Sequence, residues 1–237
     1  MIKEYFKKSM NKNPIVSILI LVYNAPLLTF ITLLTLRRTT DVSYEVVVLD
    51  NNSKITTRFL LKILYHFGLI DKLLQSSENT YFAKGNNIAS RYAHKKSKFY
   101  LLLNSDIKII DPHWLKKLLD LHKKYNNSVS SIGVCDIDKI YCRCDGYCFL
   151  VDKPIYDKIR LDEKFPWWYG ITNLQANILK QGLNITGVID DSKYIKHYWG
   201  GSGKAYKKVL KALPNEDLET WFKDIKGKIT ILKDFQI

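Results

Sequence analysis

Apolar runs and helical repeats take turns along the first half of the chain. Ile15 to Val22 is apolar at every position but Ser17 and rich in Ile and Val, so it reads as a buried strand. Asn24-Ala25-Pro26 follows, and the spacing then predicts a helix over Pro26 to Arg38, with Asn24 as its cap and Pro26 in its first turn. Tyr44 to Leu49 reads as the next strand and Ile55 to Phe67 as the next helix. A short strand is expected near Lys72 to Leu74, then a helix over Gly85 to His94, a strand over Lys98 to Leu103 and a helix over Pro112 to Tyr125. Alternation of this kind implies an α/β fold with a mostly parallel sheet and helices on both faces.

The second half is less regular. Val129 to Val134 and Tyr147 to Val151 read as strands, and Leu174 to Gln181 as a helix ended by Gly182. Ile185 to Val188 and Tyr194 to Tyr198 read as extended. From Lys204 onward, Lys mixes with Leu, Val, Trp and Phe at helical spacing. No internal repeat or low-complexity linker divides the chain, which favours one domain over residues 1–237.

Hydropathy alone would make Ile15 to Leu36 a transmembrane helix. The break at Asn24-Ala25-Pro26 favours strand, turn and helix instead. Met1 to Asn13 is polar and basic, without the apolar core or small-residue site of a signal peptide.

Composition adds a partner class. The 237 residues are 46% hydrophobic, enough for a sizeable core, and 37 Lys and Arg against 23 Asp and Glu give a net charge of +14. Such an excess suits anionic partners or a lysine-solvated surface. All four cysteines, Cys135, Cys142, Cys144 and Cys148, fall in one short stretch. A disulfide framework would spread them out, and their spacing is not a common zinc pattern, so reduced thiols in a sheet are expected.

Ligands of open α/β sheets bind beyond the carboxyl ends of the strands. Four polar clusters stand there: Tyr23-Asn24; Asp50-Asn51-Asn52-Ser53; Asn79 to Asn87; and Asn104-Ser105-Asp106, which closes the apolar run Phe99 to Leu103. One strand-end Asp is commonly a cap or turn residue, but four clusters on one edge suggest a site.

The set resembles the family 2 glycosyltransferases of GT-A fold, a rhamnosyltransferase-like subgroup among them. The resemblance rests on SILILVYNAPLL, EVVVLDNNS, ENTYFAKGNNIA and YLLLNSD, in that order, and on KHYWGGS at Lys196 to Ser202, similar to a His-Gly-Gly-Ser segment of many members. It covers Pro14 to Ser202 and divides the domain into a nucleotide-sugar-binding half (14–106), an acceptor half (107–202) and a basic tail (203–237). The resemblance implies that Asp50 hydrogen-bonds the nucleotide base, that Tyr23 and Asn24 line the base and ribose, and that Asn79, Lys84 and Asn86 frame the nucleotide, with Lys84 available for phosphate. Asn104-Ser105-Asp106 stands where the family has its DxD motif. Asp106 would then be the main charged ligand of Mn²⁺ or Mg²⁺ bridging the diphosphate, and His197 the second ligand. An imidazole would tilt the choice toward Mn²⁺. Inverting transfer from a UDP- or dTDP-linked sugar to a glycan or lipid-linked acceptor is the implied reaction.

The chain departs from the family at the general base. The usual segment runs roughly FDExFFxYGEDVDLxxR, with the base in its Glu-Asp pair, whereas this chain reads LDEKFPWWYGITNLQAN, so that Gly170-Ile171 replaces Glu-Asp and Asn173 the next Asp. Asp145, just before Gly146-Tyr147-Cys148, is the favoured relocated base, with Asp162, Glu163, Asp136 and Asp138 behind it. Trp167 and Trp168 are candidate acceptor-stacking residues, and Trp199 lies near His197.

Three other functions compete. A nucleic-acid binder would need a basic stripe, but the cations are dispersed apart from short clusters at Lys95-Lys96, Lys116-Lys117 and Lys207-Lys208. A sugar-phosphate nucleotidyltransferase would carry a Gly-rich loop after the first strand, where this chain has VYNAP. A non-catalytic nucleotide-sugar-binding relative would explain the missing Glu-Asp. The cytoplasm is the expected location, because nucleotide sugars are found there. Peripheral contact with the inner membrane face through Lys204, Lys207, Lys208 and Lys211 is a further expectation, which the acidic residues between Glu216 and Asp224 weaken.

Overall fold

The apolar runs become strands of one large sheet. The computed structural model describes residues 1–6, 13–136, 142–167, 169–189, 192–198 and 218–235. Its first half runs β1 (Ile2–Phe6), β2 (Val16–Val22), α1 (Pro26–Leu36), β3 (Tyr44–Asp50), α2 (Ile55–His66), β4 (Lys72–Ser76), α3 (Tyr81–Arg91), β5 (Phe99–Asn104), β6 (Ile107–Ile109) and α4 (Trp114–Lys124). The second half runs β7 (Val129–Ile132), β8 (Val134–Asp136), β9 (Cys142–Cys144), β10 (Cys148–Asp152), α5 (Lys153–Ile159), α6 (Tyr169–Lys180), β11 (Ile185–Val188), β12 (Ile195–His197), α7 (Leu218–Phe222) and β13 (Ile229–Leu232).

Nine strands form the main sheet, in the order β1-β4-β3-β2-β5-β10-β7-β11-β13. Only β1 and β10 run against the others. The central strands β2 and β3 are almost wholly buried, as parallel strands covered on both faces must be. On one face Leu33 and Leu36 of α1, Leu61 and Leu64 of α2 and Trp114 and Leu118 of α4 pack onto the sheet. On the other, Ala83 and Ala89 of α3, Tyr156 of α5 and Leu174 and Ile178 of α6 do so. The fold is the expected α/β arrangement.

Several local expectations change. Asn24 does not cap α1: it and Ala25 both adopt left-handed backbone, and α1 has no side-chain cap, although Pro26 opens the helix as expected. The Asn24 amide oxygen instead accepts from the Lys54 N–H at 2.9 Å. Helix α3 begins at Tyr81 rather than Gly85, and α6 at Tyr169 rather than Leu174. In α3 a Cβ at Gly85 would come within 2.9 Å of Leu21, so glycine there lets the helix lie close against β2. Strands β1, β6 and β9 and helix α5 are not foreshadowed by the sequence pattern, and β13 is a strand inside the tail expected to be helical, because it pairs with β11 at the sheet edge. The apolar stretch Ile15–Leu36 is split between β2 and α1. No helix among the described residues is long and apolar enough to cross a membrane. Trp168, Trp199, Asp138 and the tail lysines 204, 207, 208 and 211 lie outside the described residues.

Candidate active site

The site edge is where β2, β3, β4 and β5 end together, in the register Val22 beside Asp50, Leu21 beside Asn104 and Asp50 beside Gln75. Because β10 runs the opposite way, its start lies at the same edge, with Cys148 opposite Leu103. The turn Asp145-Gly146-Tyr147 therefore meets the polar tip of β5, and the Asn104 N–H donates to the Tyr147 carbonyl at 2.9 Å.

Asp106 and His197 come together through β6. After Asp106 the chain forms β6, which pairs antiparallel with β12 in the register Ile107 to His197. The Tyr198 N–H donates to the Asp106 carbonyl at 2.9 Å. This brings His197 Nε2 to 3.3 Å from Asp106 Oδ1, both side chains nearly buried. Asn104 Nδ2 is 3.4 Å from the same imidazole nitrogen. Tyr147 stacks on the His197 ring, centroids 4.4 Å apart and planes inclined by 23°. Behind Tyr147, a Cβ at Gly133 would sit 2.3 Å from the ring, and Gly133 also has a φ of +101°, so glycine is required on both counts.

Helix α1 holds β6 from its other side. Thr32 Oγ1 donates to the Ile107 carbonyl at 2.8 Å and accepts from the Ile107 N–H at 3.1 Å. Thr35 Oγ1 accepts from the Ile109 N–H at 3.1 Å. The inward threonines of α1 thus satisfy backbone groups that a three-residue strand leaves open.

The pair Asp106 and His197 fits a divalent cation. Two neighbouring ligands of an octahedral cation at about 2.1 Å stand about 3.0 Å apart, close to the spacing found here. Among the described residues no group of three or more His, Cys, Asp or Glu side chains converges to hold a metal. Such a two-residue donor set suits a cation that completes its shell with phosphate and water.

The other strand-end residues divide into rim and support. Tyr23 and Asn24 are half-buried in the loop after β2. The Asn24 N–H donates to Ser53 Oγ at 2.9 Å, joining this loop to the one after β3. Asp50 is sealed from solvent; its Oδ1 accepts from the Ser53 N–H at 2.9 Å, and Oδ2 is 3.2 Å from Arg58 Nε. Asn51 accepts from the Thr80 N–H and hydroxyl, tying the α3 entry to β3. Asn79 Oδ1 accepts from the Tyr81 N–H. Lys84 is exposed on the rim, 2.9 Å from Glu78, whose carboxylate raises the lysine's pKa above its ordinary value. Asn86 is buried, and its amide donates one turn back to the Phe82 carbonyl, a supporting contact within α3. Ser105 is buried in the turn before Asp106.

The loop before α6 crosses the start of α3, where the Pro166 carbonyl accepts from the Phe82 N–H at 2.8 Å. Trp167, next after Pro166, is half-buried. Asp162 and Glu163 serve this loop: the Asp162 carboxylate accepts from the Lys164 N–H, and Glu163 accepts from Asn87. Ile171 is 4% exposed in the first turn of α6, and a Cβ on Gly146 would lie 2.8 Å from it. The segment carrying Asp145 thus packs against the position where the family pattern would have its base. Asp145 is partly exposed, and its Oδ1 accepts from the Gly146 N–H at 2.6 Å. Asp136 lies in β8, on the strand that pairs with β9.

Tyr147 and Arg58 belong to the site and were missed in the sequence. Tyr147 shares the Asp145-Gly146 turn, and Arg58 is a cation one turn into the helix after Asp50, so each carried a weak local signal.

Solved structures share this architecture at low identity. S. aureus TarS 1-349 in complex with UDP is 16% identical with a TM-score of 0.60, over 76% of this chain and 59% of that one. TarS 1-349 with UDP-GlcNAc is 15% identical with a TM-score of 0.61, over 87% of this chain and 69% of that one. Mannosyltransferase PcManGT from Pyrobaculum calidifontis, in complex with GDP-Man and Mn²⁺, is 14% identical with a TM-score of 0.67, over 91% and 69%. Against the first of these the chain spans less than two thirds of the neighbour's length. The likeness establishes the GT-A type of fold. No curated protein sequence matches this chain. The profile of Glycosyl transferase family 2 matches residues 17–143, more than half the chain, across the strand ends that build the site; the chain belongs to that family.

Proposed function

We propose that this chain moves a glycosyl unit from a nucleoside-diphosphate sugar to a hydroxyl of a glycan or lipid-linked acceptor, with inversion at the anomeric carbon. The observation that carries this reading is the approach of His197 to Asp106 at the carboxyl edge of the sheet. Asp106 and His197 would hold Mn²⁺ or Mg²⁺, and such a cation, when bound, offsets charge on a departing diphosphate. Tyr23 and Asn24 line the base and ribose from the β2 side, and Asn79 and Lys84 from the α3 side. Lys84 exchanges Glu78 for phosphate at little cost, because an exposed ion pair is weak. Asp50 reads the base once its Arg58 side is released. Asn104 orients His197, and Ser105 shapes the turn.

The acceptor oxygen attacks the anomeric carbon from the face opposite the diphosphate. As that bond forms, the bond to the diphosphate oxygen breaks and its electron pair leaves with the nucleotide. Asp145 takes the acceptor proton, a contribution of about 10²–10⁴ in rate. Trp167, with Trp168, offers an aromatic face to the acceptor sugar. The reaction belongs in the cytoplasm, where nucleotide sugars are found.

Transfer and hydrolysis of a nucleotide-sugar panel with Mn²⁺, in wild type and Asp106→Ala, test the reading. The neighbours' complexes put UDP- and GDP-linked sugars in that panel beside dTDP-linked ones. One donor should turn over in the wild type, and Asp106→Ala should lose about 10²–10³-fold or more. Equal rates in the two proteins would refute the proposal. A second reading, nucleotide-sugar binding without transfer, is favoured by Ile171 in the first turn of α6. Thermal shift by UDP, dTDP or GDP with Mn²⁺, but no turnover with any acceptor, would select it.

A further inference from the structure

Helix α1 is apolar on both sides, with threonines beside Leu33 and Leu36 on its inner face. Thr29, Thr32 and Thr35 are buried, while Leu27, Phe30 and Leu34 face solvent. The inward threonines serve β6, and Leu27, Phe30 and Leu34 turn outward, 69%, 37% and 45% exposed. Helix α2 packs beside α1 on the same sheet face and exposes Ile55 and Phe59, with Phe67 just beyond its end. Of the twelve exposed large hydrophobic side chains among the described residues, six lie on these two helices or directly after them. Leu27 is 69% exposed, Ile55 77% and Phe59 64%, so these are not shallow edges of the core. Apolar exposure this concentrated marks an interaction surface.

The charges around it are mostly positive: Arg37 pairs with Asp71 and Arg58 with Asp50, while Arg38, Lys54 and Lys62 are exposed. Residues 23–40 and 51–70 contain no Asp or Glu, but include Arg37, Arg38, Lys54, Arg58 and Lys62. We infer that the outer face of α1 and α2 docks on an anionic lipid bilayer, its Leu, Ile and Phe side chains entering the interface and its cations meeting lipid phosphates. An apolar face bordered by basic residues suits such a surface. A second copy of this chain is a poorer occupant, because a two-fold contact would bring the exposed Arg38, Lys54 and Lys62 of both copies to one seam. Both helices start at the carboxyl edge of the sheet, so docking would hold the candidate site beside the membrane. This face lies within residues 26–67, far in sequence from the tail lysines.

Flotation with phosphatidylglycerol–phosphatidylcholine vesicles, against phosphatidylcholine alone, tests the inference. Three proteins are compared: wild type, the double variant Leu27→Ser/Phe59→Ser, and a tail variant with Lys204, Lys207, Lys208 and Lys211 changed to Gln. Wild type should float with the anionic vesicles and less so at high salt. The double variant should bind about tenfold or more weakly, with an unchanged far-UV spectrum and Tm, while the tail variant still floats. The inference falls if wild type ignores anionic vesicles, or if the double variant floats like wild type. It also falls if wild type self-associates in solution and the double variant does not. Because no transfer is measured, such a failure leaves the proposed reaction standing.

Discussion

Asp145 stands where two features of the chain meet. Ile171 has no proton-accepting group and is packed against Gly146, so that position has become part of the core. The nearest described carboxylate in sequence to this contact is on Asp145, whose turn also carries Tyr147 and thereby touches Asn104 and His197. Asp162 and Glu163 already hold the loop together. Asp145→Asn should therefore lower kcat about 10²–10⁴-fold. Donor KM and the Mn²⁺-dependent rise in Tm should stay as in wild type. Wild-type kcat in this variant would move the base elsewhere. Residue by residue, the sequence was most legible at strand ends: Asp106 was readable because a buried apolar run stops at a carboxylate. Its neighbour was not readable from spacing. Asn104 and His197 are 93 positions apart, and only the strand pairing of β6 with β12 brings them together. The Tyr147 stack depends on that same long-range pairing.

At the scale of elements, strands buried on both faces announced themselves through long runs of apolar residues. Those at the borders did not. Strand β1, Ile-Lys-Glu-Tyr-Phe, lies on the outer edge of the sheet without a period-two pattern, and β6 is three residues long and stabilised from outside. Helix α6 starts before Leu174 because tertiary packing overrides the weak helix preference of Gly170 and Asn173, and α3 starts one turn before Gly85, at Tyr81. Helix α1 shows the reverse, a helix placed correctly whose polar residues face inward. That placement makes a prediction about Thr32. Replacing it with Val keeps the shape but leaves the Ile107 N–H and carbonyl without the hydroxyl they use. Thr32→Val should cost about 1–3 kcal/mol in urea unfolding. Since Ile107 follows Asp106 directly, the variant should also weaken Mn²⁺ binding measured by titration. A variant with unchanged stability and Mn²⁺ affinity would show that α1 does not position the strand.

For the whole molecule, the two ends of the parallel sheet have opposite tasks. The carboxyl ends carry loops that meet a substrate, so the opposite ends have to fix the strands. There one buried carboxylate gathers four segments. Glu45, at the start of β3, accepts from Ser17 of β2 at 2.6 Å, pairs with Lys72 of β4 at 2.9 Å and accepts from the His94 N–H. Ser97, just before β5, joins the cluster through Ser17 at 2.7 Å. Glu45 is fully buried. Removing one member of such a pair leaves the other charge and several donors without compensation, which typically costs about 3–5 kcal/mol. In a chain of this length each kcal/mol lowers Tm by about 2–4 °C, so Glu45→Ala should fall by roughly 6 °C or more. Glu45→Gln retains an acceptor for Ser17 and the His94 N–H and should lose less. If both variants melt within a degree of wild type, the cluster is not what aligns the strands, and the register that brings Asp50 and Asn104 to one edge must come from apolar packing alone.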